Sequence, residues 1–79
     1  MTEILDRIST LLVARFGVEA DEFQPDVTLA DLDLDSLALV EFGLVAEKEF
    51  GVKIGDNEVS PSDTVGDLAK LIIAKGAVG

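Results

Sequence analysis

The sequence predicts an all-α fold: a small bundle of three principal helices and one minor turn, with a long loop after the first helix. Three observations support this. Apolar residues recur at helical spacing in three segments, and each segment runs into a glycine that suits a helix stop. The alternation at Val52, Lys53 and Ile54 has no second strand to pair with, so it predicts an extended connection rather than a sheet. A chain of 79 residues makes one domain, residues 1–79, close to the smallest that a single core supports.

The first helix is expected from Glu3 to Phe16. Ile4, Leu5, Ile8, Leu11, Leu12 and Phe16 form its buried stripe. Thr2 is placed to cap it, Glu3 and Asp6 suit its positive end, Arg15 suits its negative end, and Gly17 stops it. From Gly17 to Asp35 the periodicity is lost and Pro25 forbids a regular element through the middle. Val18, Phe23, Val27, Leu29, Leu32 and Leu34 recur among the acids, so this loop is expected to pack its own apolar residues beneath it.

The second helix starts with Asp35 as its cap and Ser36 at its first position, and it stops at Gly51. It carries two apolar stripes. Leu39, Phe42, Ala46 and Phe50 make one, while Leu37, Val40 and Leu44 make another flanked by Glu41 and Glu47. Only one can face the core. Gly43 in the interior points to close packing or to tolerance of a partner. Asp56 to Val59 is expected to form a short helical turn before Pro61. Thr64 and Asp67 offer a capping box for the last helix, which buries Val65, Leu68, Leu71, Ile72 and Ile73, has Lys70 and Lys75 toward its end, and stops at Gly76.

Composition excludes several functions. There is no cysteine to form a disulfide or thiolate site, and no histidine to serve as general base, zinc ligand or pH switch. A self-sufficient hydrolase or metalloenzyme is therefore not expected. Six basic residues against sixteen acidic give a formal net charge of −10, which disfavours nucleic acid and anionic membranes and favours partners with basic surfaces. Between Arg15 and Lys48 there is no Lys or Arg, so the negative field gathers around Ser36. No apolar run reaches the roughly 18 residues of a membrane span, and the first residues show no basic region followed by an apolar signal core. A soluble, cytoplasmic monomer is the expectation.

Ser36 admits three readings. A nucleophilic serine needs a base, and Lys48, Lys53, Lys70 and Lys75 form no recognisable pair with it. A structural serine would simply start the helix. A modified serine would place a phosphate at the positive end of a helix, beside unpaired backbone N–H groups.

The stretch LDLDSLALVEFGLVAEKEF, from Leu32 to Phe50, resembles the prosthetic-group segment of acyl carrier proteins, in which Asp-Ser-Leu opens the second helix. The resemblance runs over nearly the whole chain: a first helix ending in FGV, an acidic loop, the DSL helix, a short third turn and a last helix. It implies an acyl-carrier-like four-helix bundle without catalytic activity of its own. It further implies that Ser36 takes a 4′-phosphopantetheine from coenzyme A through a phosphopantetheinyl transferase, with acyl groups then held as thioesters on the borrowed thiol. Asp35 corresponds to the position near the magnesium and coenzyme A of the transferase complex.

By the same resemblance, Leu37, Val40, Glu41, Leu44 and Glu47 form the face read by acyltransferases, ketosynthases or acyl ligases with basic docking surfaces. Two departures from the fatty-acid type stand out: Asp33 replaces the usual glycine of GxDSL, and Lys48 interrupts an acidic run. DSLALVE followed by EKEFGVKI is more similar to the discrete carriers of bacterial polyketide assembly. The alternatives are a peptidyl or aminoacyl carrier of nonribosomal type, or an acidic helical adaptor that is never modified.

Overall fold

The computed structural model describes residues 2–55 and 57–76, without the side chain of Thr2. Helix α1 spans Thr2–Phe16, α2 spans Ser36–Phe50 and α3 spans Val65–Ala74. No regular strand occurs among the described residues, so the all-α class holds. The helices meet in one core. Ile4, Ile8, Leu11 and Leu12 enter it from α1, Leu39, Phe42, Ala46 and Phe50 from α2, and Val65, Leu68, Ala69 and Ile72 from α3. Phe16 and Phe42 meet with ring centroids 6.0 Å apart, and Arg7 ties α1 to the end of α2 by donating to the Glu49 carbonyl at 2.6 Å and lying over the Phe50 ring.

Helix ends follow the residues that the sequence offers. Asp35 caps α2, and the reciprocal capping box of α3 is present: Thr64 Oγ1 accepts from Asp67 N at 3.1 Å, and Asp67 accepts from Thr64 N at 3.2 Å. Gly51 closes α2 at φ +69°, the left-handed conformation that glycine adopts without a side-chain clash. The expected Thr2 cap falls on a side chain outside the described residues.

The long loop is anchored chiefly by backbone. Val65 N donates to Val27 O at 2.9 Å and Gly66 N to Pro25 O at 2.8 Å, so the first amides of α3 are satisfied by the loop rather than by water. In return, Leu29 N donates to Asp63 O at 2.9 Å and Ala30 N to Pro61 O at 2.8 Å. Thr28 and Thr64 form an isolated antiparallel bridge at the centre of this contact. Beneath it Val18, Leu29, Leu32 and Leu34 are buried and Phe23 and Val27 are partly so, as the apolar residues among the acids predicted.

Two details differ from the sequence reading. The loop contains two short 3-10 turns that the sequence did not announce, at Ala20–Glu22 and Ala30–Leu32, while the turn expected from Asp56 to Val59 falls partly outside the described residues. Asp56 lies outside the described residues. Asn57 and Glu58 form a hydrogen-bonded turn in which Glu58 N donates to Gly55 O at 3.0 Å while the Glu58 side chain accepts from Gly55 N at 2.7 Å. The Glu58 carboxylate thus satisfies an amide at the start of the turn, as Asp67 does at the start of α3, and Pro61 follows too closely for the turn to grow into a longer helix. Ile73, expected in the buried face of α3, is exposed. The extended connection behaves as expected, with Val52 buried and Ile54 partly so.

Two glycines separate close approach from mere tolerance. A Cβ on Gly66 would stand 3.0 Å from the Pro25 carbonyl oxygen, which cannot retreat without lengthening its bond to Gly66 N. A Cβ on Gly43 would meet Ile54 O at 3.6 Å, an ordinary contact. Urea unfolding should therefore give opposite signs: Gly66→Ala destabilises by about 1–2 kcal/mol through overpacking, whereas Gly43→Ala stabilises by about 0.5–1 kcal/mol through helix propensity. Equal midpoints for the two variants would contradict this packing.

Candidate functional site

The approach to Ser36 is built by the reversal at 29–34. Leu34 N donates to Leu29 O at 3.0 Å and Asp33 N to Ala30 O at 3.0 Å, the paired closure that ends a helical turn with a left-handed residue. That residue is Asp33, at φ +61° and ψ +27°, the one non-glycine at positive φ among the described residues. Aspartate tolerates the conformation better than most side chains. Leu29 and Leu34 are both buried, so the reversal is held from beneath. The chain leaves it with Asp35 extended at φ −82° and ψ −177°, and α2 begins.

Asp35 supplies the cap. Its Oδ1 accepts from Ala38 N at 2.8 Å, and its carbonyl accepts from Leu39 N at 3.0 Å. Ser36 is the first residue of α2 and is exposed, and its hydroxyl has no hydrogen-bond partner among the described residues. The structural reading of Ser36 is thus met by its neighbour. The amides of Ser36 and Leu37 likewise have no partner there, in contrast to the first amides of α3.

Ser36 stands at the edge of a cleft of about 410 Å³ between α2 and the 54–61 connection. Leu39, Val40, Ile54 and Val59 give it an apolar side, and Asn57 and Ser60 a polar one. Among the described residues no Lys or carboxylate lines it. The far wall is braced by Glu58, whose carboxylate also pairs with Lys75 at 2.8 Å. The Lys75 hydrogen bond, then the Gly55 amide, hold the Glu58 carboxyl below the usual carboxylate range.

The second stripe of α2 lies outside the core. Leu37 is 70% exposed, Val40 41% and Leu44 61%, with Glu41 and Glu47 exposed beside them. The structure thus brings the seven sequence-predicted residues onto one helix and its cap, with Ser36 and Val40 sharing the cleft. Sequence reasoning missed the left-handed Asp33 as the support of this site. The signal was there, because an aspartate stands where the resembling family has glycine.

Residues 6–72 match a family model described as the phosphopantetheine attachment site. The chain belongs to this carrier family. Its members bear 4′-phosphopantetheine covalently on a serine and act as carriers that meet a phosphopantetheinyl transferase and biosynthetic enzymes. Four serines lie in the matched span of this carrier: Ser9, Ser36, Ser60 and Ser62. Ser9 is half-buried on α1, and Ser60 and Ser62 share a hydrogen bond of 2.9 Å. No described helix of the carrier is long and apolar enough to cross a membrane.

Two predictions follow from how the site is held. Asp33→Gly should raise stability by about 0.5–1 kcal/mol and Asp33→Val lower it by more, while Asp35→Ala costs about 1 kcal/mol for the lost cap, all read from chemical denaturation. Raising the pH through the Glu58 titration should widen the melting-temperature gap between wild type and Glu58→Gln. The folded carboxyl titrates below its unfolded range, so its contribution is complete above that range and lost as pH falls through the folded value. A gap independent of pH between acid and neutral conditions would show that the brace contributes nothing.

Proposed function

We propose that this carrier holds acyl intermediates as thioesters on a 4′-phosphopantetheine attached to Ser36 and presents them to partner enzymes of polyketide or fatty acid biosynthesis. The observation that carries the reading is the exposed, unpartnered hydroxyl of Ser36 at an open helix N-terminus, within a chain whose family carries the group on a serine. The other three serines of the matched span are half-buried or engaged with one another.

The residues fit the group. A phosphodiester at Ser36 Oγ meets the positive end of α2 and the free amides of Ser36 and Leu37, which favour its negative charge. When attached, the arm supplies the thiol that a chain without cysteine lacks. Attachment forms a bond from Ser36 Oγ to the pantetheine phosphate of coenzyme A, and adenosine 3′,5′-bisphosphate leaves. In this reading the serine proton goes to the transferase, since no base among the described residues lines the cleft. In this reading Asp35 fixes the backbone by capping and stands next to the metal and coenzyme A of the transferase.

Leu37, Val40 and Leu44 give partners a small apolar centre, and Glu41 and Glu47 steer basic surfaces toward it. Contacts of this size are exchangeable, which suits a protein that visits several enzymes. Dependence on coenzyme A fits a cytoplasmic location.

Incubation with coenzyme A and a broad-specificity transferase should add one phosphopantetheine by intact mass to the wild type and to Ser60→Ala, and none to Ser36→Ala. An unchanged wild-type mass, with folded protein and active transferase, would leave an unmodified adaptor as the better reading. The acid found on the thiol of protein from its source separates an aminoacyl carrier from an acyl one.

A further inference from the structure

The two cations that bound the cation-free interval of the sequence meet in space. Arg15, near the end of α1, and Lys48, in the last turn of α2, line one groove of about 110 Å³ together with Leu44, Val45 and Glu49. Both are exposed, and neither has an ion pair among the described residues. The groove therefore sets two cations against one acid, on a chain whose net charge is −10. On the other side of Leu44 the balance differs. There Lys53 and Lys75 share a groove with Glu47 and Glu58, and among the described residues the charges cancel.

Leu44 lines both grooves and belongs to the exposed row that starts beside Ser36. Its position is about 12 Å along the helix axis from Ser36, at 1.5 Å per residue. A partner lying on that row meets acids at Glu41 and Glu47 but an excess of positive charge at Arg15 and Lys48. A uniformly basic surface is repelled at the second place, and a basic surface with one well-placed acid is attracted at both.

We propose that the Arg15–Lys48 groove receives a carboxylate side chain, Glu or Asp, of a partner protein docked along Leu37, Val40 and Leu44. The inference rests on the docking face of the preceding section and adds its polarity. A guanidinium and an ammonium beside an exposed leucine can hold one carboxylate through charge-assisted hydrogen bonds while its aliphatic stem covers Leu44. A net positive charge on one side of that leucine and a balanced one on the other fix the orientation in which a partner lies on α2.

The test uses ¹⁵N-labelled full-length protein and two capped peptides, acetyl-Leu-Glu-Leu-Glu-amide and its lysine counterpart. The acidic peptide should shift the amides of Arg15, Leu44 and Lys48, and the basic one those of Glu41 and Glu47. In the double variant Arg15→Gln, Lys48→Gln the acidic peptide should bind about threefold to tenfold more weakly, the amount two exposed charge pairs supply, with the basic response unchanged. The charge-conserving Arg15→Lys, Lys48→Arg should retain the acidic response, and circular dichroism verifies folding of each. Groove amides unmoved by the acidic peptide, or equal binding to the Gln variant, would overturn the proposal. Loading of Ser36, read separately by mass, should be the same in all variants, so a failure of the groove is distinct from a failure of the attachment reading.

Discussion

The docking of the loop onto the start of α3 is the constraint on which the rest depends. Four backbone hydrogen bonds join residues 25–30 to residues 61–66, at 2.8–2.9 Å. Each is worth on the order of 1 kcal/mol net, but their larger effect is geometric. They fix a segment that has no regular structure of its own, and so allow Leu29, Leu32 and Leu34 to fill the core from a loop. Because Leu34 immediately precedes the cap of α2, the position of Ser36 is set from the far end of the sequence.

Helix-terminus physics operates twice here, with opposite outcomes. At α3 the first amides are taken by Val27 and Pro25 and the third by the Thr64 side chain, so the terminus is closed by protein. At α2 the Asp35 carboxylate takes the Ala38 amide and leaves those of Ser36 and Leu37 to an outside acceptor. Had Ser36 been the cap, its hydroxyl would be engaged. Placing the cap one residue earlier stabilises the helix and leaves a serine available at its most electropositive point.

Much of this was legible in local patterns. The ends of the helices could be read from Asp35, Gly51, Thr64 and Asp67 because capping is a contact between near neighbours. The two stripes of α2 separated into Leu39, Phe42, Ala46 and Phe50 inside and Leu37, Val40 and Leu44 outside because helical period fixes facing. The bridge between Thr28 and Thr64 was not legible, since pairing of backbone groups far apart in sequence leaves no side-chain signature. For the same reason nothing announced that Arg15 and Lys48 share a groove. The pairing of Glu58 with Lys75 at the end of α3 was not legible either, because it joins side chains from separate elements.

The core explains why surface chemistry can vary without cost to the fold. Among the described residues no polar or charged side chain is buried, so folding rests on apolar contacts and backbone hydrogen bonds, and the acids lie on the surface. The two departures from the resembling fatty-acid type then carry different information. Asp33 occupies a left-handed position that glycine fills most easily, so its effect is on the backbone beneath Ser36. Lys48 is exposed at the rim of a surface groove, so its charge acts on the field that a partner meets at the end of α2. Of the two, Lys48 is the residue through which selection of a partner can act, because exchanging its charge alters recognition while leaving the attachment site and the helix that presents it in place.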